Sequence, residues 1–315
     1  KGVSPLSGTN QLKKQPDAGP LPSGVGRAMM GIAMPQPEIP IERFEIFAAG
    51  LDHPECVAFD RDGYLWAGGE AGQIYRIDTN GKVETIASLG GFTGGIALSP
   101  LDHAAYVCNP AHGVVRIEAD GKHSVFATGT AEHKMICPNF LVFDRRGRLY
   151  VTDSGVWKKQ NGALLRFDPD GRGEIISGPY GYANGLALSA DERTLFMAES
   201  NTDRVLRFDL SADGTVGSPE VYAEQVGRLP DGMSLDEAGN LYVACYASDE
   251  IWRISPSRQK TLIGWDHFAI LIGRPTNLAW GGEDRDMMYV ANLGRYTVTR
   301  AYLPGVRGQK LANQL

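Results

Sequence analysis

PNFLVFDRRGRLYVTD, residues 138–153, returns later in the chain as PDGMSLDEAGNLYVAC, residues 230–245. Both read as an entry loop, an apolar strand ending near Asp, a tight turn, and a second strand of the type Leu-Tyr-Val. Four further copies share this phrase: PECVAFDRDGYLWAG from Pro54, TGGIALSPLDHAAYVCN from Thr93, ANGLALSADERTLFMAE from Ala183 and PTNLAWGGEDRDMMYVAN from Pro275. Their starts lie 39, 45, 45, 47 and 45 residues apart. Most copies run on into a third strand such as QIYRID or LLRFDP, a turn such as Asn80-Gly81 or Asp170-Gly171, and a fourth strand. Four short strands in about 45 residues is the period of a propeller blade. Six copies therefore predict an all-β, six-bladed β-propeller with four antiparallel strands per blade.

Working outward, the sixth copy ends near Leu303 with three strands of its own. The segment from Arg43 to Ala48, within RFEIFAAGLDHPE, matches the fourth strand and exit loop of the other blades. It is expected to join the last blade, closing the ring and removing an open sheet edge. The expected organisation is an irregular, Gly-, Pro- and Ser-containing arm over 1–42, the propeller over 43–303 and a tail over 304–315. The 315 residues are 43% hydrophobic and 22% charged, enough apolar surface for a sizeable core. A net charge of −6 without a basic run argues against nucleic-acid partners. Apolar stretches such as Phe268–Ile272 fall far short of the ~20 residues that span a bilayer. With no signal pattern visible, a soluble protein is expected, cytoplasmic ahead of periplasmic or secreted. The cysteines at 56, 108, 137 and 245 have no CxxC spacing and read as small buried hydrophobes.

In a propeller the first strand of each blade lies nearest the axis, and the starts of these strands share one face. The six aligned positions there are Glu55, Gly94, Asn139, Asn184, Asp231 and Thr276. Taken singly, Asn184-Gly185 and Asp231-Gly232 are ordinary turn dipeptides. As a set, Glu55, Asn139, Asn184 and Asp231 converge on one axis, and two converging carboxylates repel unless a cation lies between them. Two carboxylates and two amide oxygens suit Ca²⁺, with Mg²⁺ or Mn²⁺ as alternatives and Zn²⁺ disfavoured.

At these residues the sequence resembles the gluconolactonase and regucalcin-like superfamily of six-bladed propellers, over residues 43–303. The most specific match is YANGLALSADERTLFMAES, from Tyr182. The resemblance implies that Glu55, Asn184 and Asp231 are metal ligands and that Asn139 is an additional site asparagine. The same set is similar to the calcium shell of diisopropyl fluorophosphatase and of paraoxonases. A divalent-metal hydrolase acting on a small-molecule lactone or related ester is thereby implied, with phosphotriester hydrolysis and a non-enzymatic binding platform as alternative readings. Strictosidine synthase relatives share the propeller without the metal shell. One departure matters: sugar-lactone members carry an Arg-x-Asn-Asp-Gly stretch, whereas this chain has Cys137-Pro138-Asn139-Phe140-Leu141. The Arg that would grip substrate hydroxyls is absent, which favours a more apolar lactone or ester.

Bound metal in such a shell would polarise a carbonyl. Asp231 is the candidate base or nucleophile, and Glu55 a pure ligand. Second-strand ends on the same face supply Asn109, Asp153, Glu199, Tyr246 and Asn292, of which Asp153 and Glu199 are expected to orient the ligands from behind. His133 and His267 lie in blade-entry loops and His53 beside Glu55; each reads first as a structural loop histidine and second as a proton shuttle. Trp157, in the insertion Ser154–Gly162, is expected on the pocket rim, with Met135, Ile136 and Phe140 as apolar lining.

Overall fold

A computed structural model describes residues 36–315; the N-terminal arm expected over 1–42 lies, up to residue 35, outside the described residues. The described chain is six four-stranded antiparallel sheets arranged as the repeat predicts. Blade I comprises Val57–Phe59, Leu65–Gly68, Gln73–Ile77 and Val83–Ser88, and blade II comprises Ile96–Leu98, Ala105–Asn109, Gly113–Ile117 and His123–Ala127. Blades III, IV and V begin at Pro138–Phe143, Ala183–Leu188 and Pro230–Leu235. Blade VI takes Pro275–Gly281, Met287–Asn292 and Thr297–Tyr302 from the end of the chain. Its outer strand is Phe44–Ala49, paired antiparallel to Thr297–Tyr302, so the expected ring closure is present with its bounds shifted by one residue.

Local chemistry explains why the phrase repeats. The Asp that ends the first strand folds back on its own hairpin turn. Asp144 Oδ1 accepts the N–H groups of Arg146 and Arg148, both at 2.9 Å. Asp60 and Asp236 do the same for Tyr64 and Asn240. Such a side chain closes a turn where the backbone has no ladder partner. Strand residues then alternate between the two faces of each blade, and the core is the packing between adjacent blades. Tyr106 of blade II meets Phe143 of blade III edge to face at 4.9 Å, and Tyr242 of blade V meets Trp280 of blade VI at 4.9 Å.

Residues 304–315 are not a free tail. They cross the face where the innermost strands end. Gln309 N donates to Leu235 O at 3.0 Å, Gln309 Nε2 to Leu188 O at 2.8 Å, and Asn313 Nδ2 to Phe59 O at 3.1 Å. The strand ends of three different blades thus find donors in one segment. Between this segment and the inner strands lies a narrow axial cavity of about 80 Å³. No helix among the described residues is long and apolar enough to cross a membrane.

Phe44 carries much of the closure. It is 3% exposed and packs with Ile263 and Ile272 beside blade V and with Trp280 and Ala301 of blade VI. Phe44→Ala is expected to destabilise the protein by about 3–4 kcal/mol in urea unfolding. Ile46→Ala, on the exposed side of the same strand, should cost less than about 0.5 kcal/mol. Equal costs would show that the strand's buried face does not hold the ring.

Candidate active site

Four of the six inner strands carry a register shift where they face the axis. The shifts fall between Pro138 and Phe140, Ala183 and Leu186, Pro230 and Met233, and Pro275 and Asn277. Asn139, Asn184, Asp231 and Thr276 are skipped by the ladder, together with Gly185 and Gly232. A bulge frees a residue from pairing and re-aims its side chain, so the strand start is released from the ladder. In blades I and II the inner strand is three residues long, and Glu55 and Gly94 precede it.

The glycines that follow the donors have a role different from the turn role their dipeptides suggested. Gly185 and Gly232 lie within strands, not turns. A Cβ on Gly185 would stand 2.1 Å from Asp231 O, and one on Gly232 would stand 2.4 Å from Thr276 O. Glycine here lets neighbouring inner strands approach backbone to backbone.

Each donor segment is also gripped from the adjacent blade. Thr276 Oγ1 donates to Glu55 O at 2.7 Å, Gly95 N to Asn139 O at 2.6 Å, and Thr152 Oγ1 to Asn184 O at 2.8 Å. Ser200 Oγ donates to Pro230 O at 2.7 Å, immediately before Asp231, and accepts from Asn184 Nδ2 at 3.1 Å. The serine thereby fixes which end of the Asn184 amide is spent and leaves Oδ1 as the other.

Glu55, Asn139, Asn184 and Asp231 all line one open cavity of about 500 Å³. All four are buried, yet Glu55 Oε2 and Asn184 Oδ1 have no hydrogen-bond partner. Burial pushes the Glu55 carboxyl up to about 8, and the nearby Thr276 hydroxyl offsets this only in part. Burial and the charge of Glu55 hold Asp231 well above the usual carboxylate range. No lysine, arginine or histidine is among the described residues that line the cavity. Orphaned acceptors and two buried carboxyls with no positive side chain beside them form a donor set that fits a hard divalent cation.

The remaining candidates divide sharply. Trp157 and Tyr246 line the cavity. Asp153, Glu199, His133, His267, His53 and Phe140 do not. Asp153 is fully buried and accepts from Ile136 N at 2.9 Å, Cys137 N at 2.7 Å and His133 Nε2 at 2.7 Å. Glu199 accepts from Gly181 N at 2.7 Å and from Thr202 Oγ1 at 2.9 Å. Both therefore tie down the entry loops of their own blades and do not touch a donor side chain. Asn109 and Asn292 act alike, on Gly90 O and Gly273 N. His267 is exposed and packs on Trp265 and Phe268. His53 lies against Asp52, Glu70 and Tyr296. Phe140 sits one residue further along its strand, in the inter-blade packing with Ile96, Leu164 and Leu186. Met135 is core and Ile136 is exposed. Three of the four cysteines are buried, as read; Cys137 is half-buried and lines the cavity, its thiol pushed up to about 11 by burial.

Pairing places Cys245 opposite Pro230, as Asp153 stands opposite Pro138, so Cys245 and not Tyr246 is the second-strand end of blade V. Sequence reasoning missed Ser200, Thr152, Thr276's grip on Glu55 and the rim residue Tyr182. The signal for Ser200 was present: Glu199-Ser200 repeats Asp153-Ser154, and Ser154 Oγ likewise donates across blades, to Ala183 O at 2.6 Å.

A family model described as the SMP-30/Gluconolactonase/LRE-like region matches residues 53–293, about three quarters of the chain. The chain belongs to this family. Among curated members of similar sequence, the 6-deoxy-6-sulfogluconolactonase of Pseudomonas putida is 28% identical over 241 residues, 72% of this chain and 78% of that one. Regucalcin of Bos taurus is 29% identical over 175 residues, 53% of this chain and 58% of its own. The lactonase drp35 of Staphylococcus saprophyticus is 33% identical over 149 residues, 44% of each chain. The chain thus spans less than two thirds of the latter two. Among solved structures, a gluconolactonase of Xanthomonas campestris superposes with a TM-score of 0.72 at 19% identity, covering 83% of this chain and 89% of that one, a likeness of fold.

Two outcomes test the site. Adding calcium to chelator-treated protein should raise Tm by on the order of 5 °C, and Glu55→Gln or Asp231→Asn should abolish most of that rise while melting above the wild type in chelator. Loss of neither effect would remove the cation from the axis. Gly185→Ala should cost about 2–3 kcal/mol in chemical unfolding, because the backbone of blade V has no room to give.

Proposed function

We propose that this protein is an enzyme that hydrolyses lactones at a divalent-cation site, calcium by preference, held by Glu55, Asn139, Asn184 and Asp231. The observation that carries the reading is the pair of buried carboxylates with orphaned acceptors at the floor of an open cavity. Membership of a family that includes a sulfogluconolactonase and a lactonase supports the reaction class. Calcium is the metal favoured by an all-oxygen donor set of mixed charge, and an Agrobacterium tumefaciens regucalcin of similar fold is described as calcium-binding.

A cation bound there supplies Lewis-acid polarisation of the lactone carbonyl and a counter-charge for the oxyanion formed on attack. The chain's own residues do the rest. Asn139 and Asn184 contribute neutral oxygens, so the two carboxylates match a divalent cation's charge and the rest of the shell adds no surplus negative charge. Glu55 is tethered through its carbonyl by Thr276 and serves as a fixed ligand. Asp231 takes the proton of the attacking water and returns it to the ring oxygen as the acyl C–O bond breaks. Alternatively it attacks the carbonyl, the ring oxygen leaves while an anhydride with Asp231 forms, and water attacking the Asp231 carbonyl carbon frees the substrate acid and supplies the proton that the ring oxygen takes up. In either route the product is the open hydroxy acid. Blade-entry loops pinned by Asp153 and Glu199 keep the rim in place around the reacting group.

The test is turnover of lactones by metal-loaded protein with and without chelator. Chelation should abolish hydrolysis, Asp231→Asn should lower kcat by about 10²–10⁴-fold, and Glu55→Gln should act chiefly through metal affinity. A single turnover in ¹⁸O-water separates the two routes: label in the product carboxylate marks Asp231 as base, and unlabelled product with label in the protein marks it as nucleophile. Full activity of Asp231→Asn would overturn the reading.

A further inference from the structure

The rim of the cavity has a character that hydrolysis alone does not require. Above the four oxygen donors stand Phe92, Trp157, Tyr182, Leu229 and Leu293. Polyhydroxylated substrates need a partner for each hydroxyl they bury. Two of the polar groups near the donors are already engaged. Ser200 is spent between Asn184 and Pro230, and the Tyr246 hydroxyl accepts from Arg274 Nη1 at 2.8 Å. With no lysine, arginine or histidine in the lining, little remains to read a sugar's hydroxyls.

By contrast, the aromatic part of the rim is built with some care. Trp157 stands edge to face with Tyr182, ring centroids 4.7 Å apart and planes at 89°. The Trp157 loop is fixed by Gly155 N on Asp153 Oδ1 at 3.1 Å and Val156 N on Asn161 Oδ1 at 2.9 Å. Tyr182 has φ 66°, a left-handed conformation that is strained for a tyrosine. Ser200 N holds it there through Tyr182 O at 3.1 Å, and Glu199 holds the preceding Gly181 N. Trp157 is nevertheless 44% exposed, so a large apolar face is held rigidly at the cavity mouth without packing to occupy it. Rigid aromatic surface of this kind offers contact area at low entropic cost.

We propose that the cavity takes a lactone bearing an apolar arm, an alkyl chain or aromatic ring, and that Trp157 and Tyr182 grip that arm and set substrate preference. This rests on the reading of the site as a lactone hydrolase. The carbonyl lies at the four donors, and the arm lies against the Trp157–Tyr182 edge of the same cavity. Trp157 is a specificity residue in this scheme and takes no part in the bond changes.

Metal-loaded protein should be assayed on three lactones of one ring size: unsubstituted, alkyl-substituted and polyhydroxylated. The alkyl lactone should show a kcat/KM at least ~10-fold above the polyhydroxylated one, from the apolar area it buries. Trp157→Ala should lower kcat/KM on the alkyl lactone ~10-fold, mainly through KM, change the unsubstituted lactone less than ~2-fold, and be largely rescued by Trp157→Phe. In parallel, calorimetric titration of chelated protein with an alkyl-substituted cyclic amide, which is not hydrolysed, reads the subsite alone. Preference for the polyhydroxylated lactone, or an equal effect of Trp157→Ala on all three, overturns the inference while leaving lactone hydrolysis intact. Turnover of no lactone, with amide binding that Trp157→Ala abolishes, overturns the hydrolase reading and retains the apolar subsite. Absence of both turnover and amide binding overturns both.

Discussion

Glu55 and Asp231 are two buried carboxylates brought to one axis with no positive side chain of their own among the described lining residues. Much of the inner architecture answers to that constraint. Like charges in a poorly solvated place push apart, and an inner ring of strands free to shift would relieve them by widening. The ring cannot widen, because hydroxyls and amides of one blade bond to backbone carbonyls of the next at Glu55, Asn139, Asn184 and Pro230. The glycines at 185 and 232 bring those backbones close enough for the bonds to form. The two carboxyls answer instead by holding their protons more tightly, and a divalent cation would be the species that takes the place of those protons. Stability and cation binding are two aspects of one arrangement.

How much of this was legible in the sequence follows from what each feature depends on. The propeller and its closure were readable because blade periodicity is a local property, repeated six times, and the unpaired outer strand at Phe44–Ala49 has the same pattern as its counterparts. The convergence of Glu55, Asn139, Asn184 and Asp231 on one cavity was readable because repeat alignment converts a three-dimensional axis into a column of residues. What the column could not show is direction. Asp153 and Glu199 stand on the correct face, yet turn back to their own loops. Phe140, one residue from a donor, falls beyond the bulge and into the packing between blades.

An error of a second kind was a one-residue slip in reading the second strand of blade V, which exchanged Cys245 for Tyr246; the pairing to Pro230 corrects it, in agreement with the sixteen-residue match of 230–245 to 138–153. Ser200 carried a local mark, the repeated acid-serine pair it shares with Ser154, whereas nothing local marks Tyr182. Ser200 acts on residues 16 and 30 positions away, and Tyr182 matters through its backbone conformation and a ring contact with Trp157. Interactions between blades are long-range by construction, so a periodic reading finds the parts and leaves the joints unseen.

The bond from Thr276 to Glu55 spans 221 positions of sequence, and the pairing of Phe44–Ala49 with Thr297–Tyr302 spans more. On a ribosome, synthesis at about 5–20 residues per second places on the order of 10–40 s between the appearance of Glu55 and that of the residue that seats it. Asn139, Asn184 and Asp231 belong to successive blades and can assemble as they emerge. Glu55 waits until blade VI is made. The four-oxygen set is therefore complete only once the ring has closed.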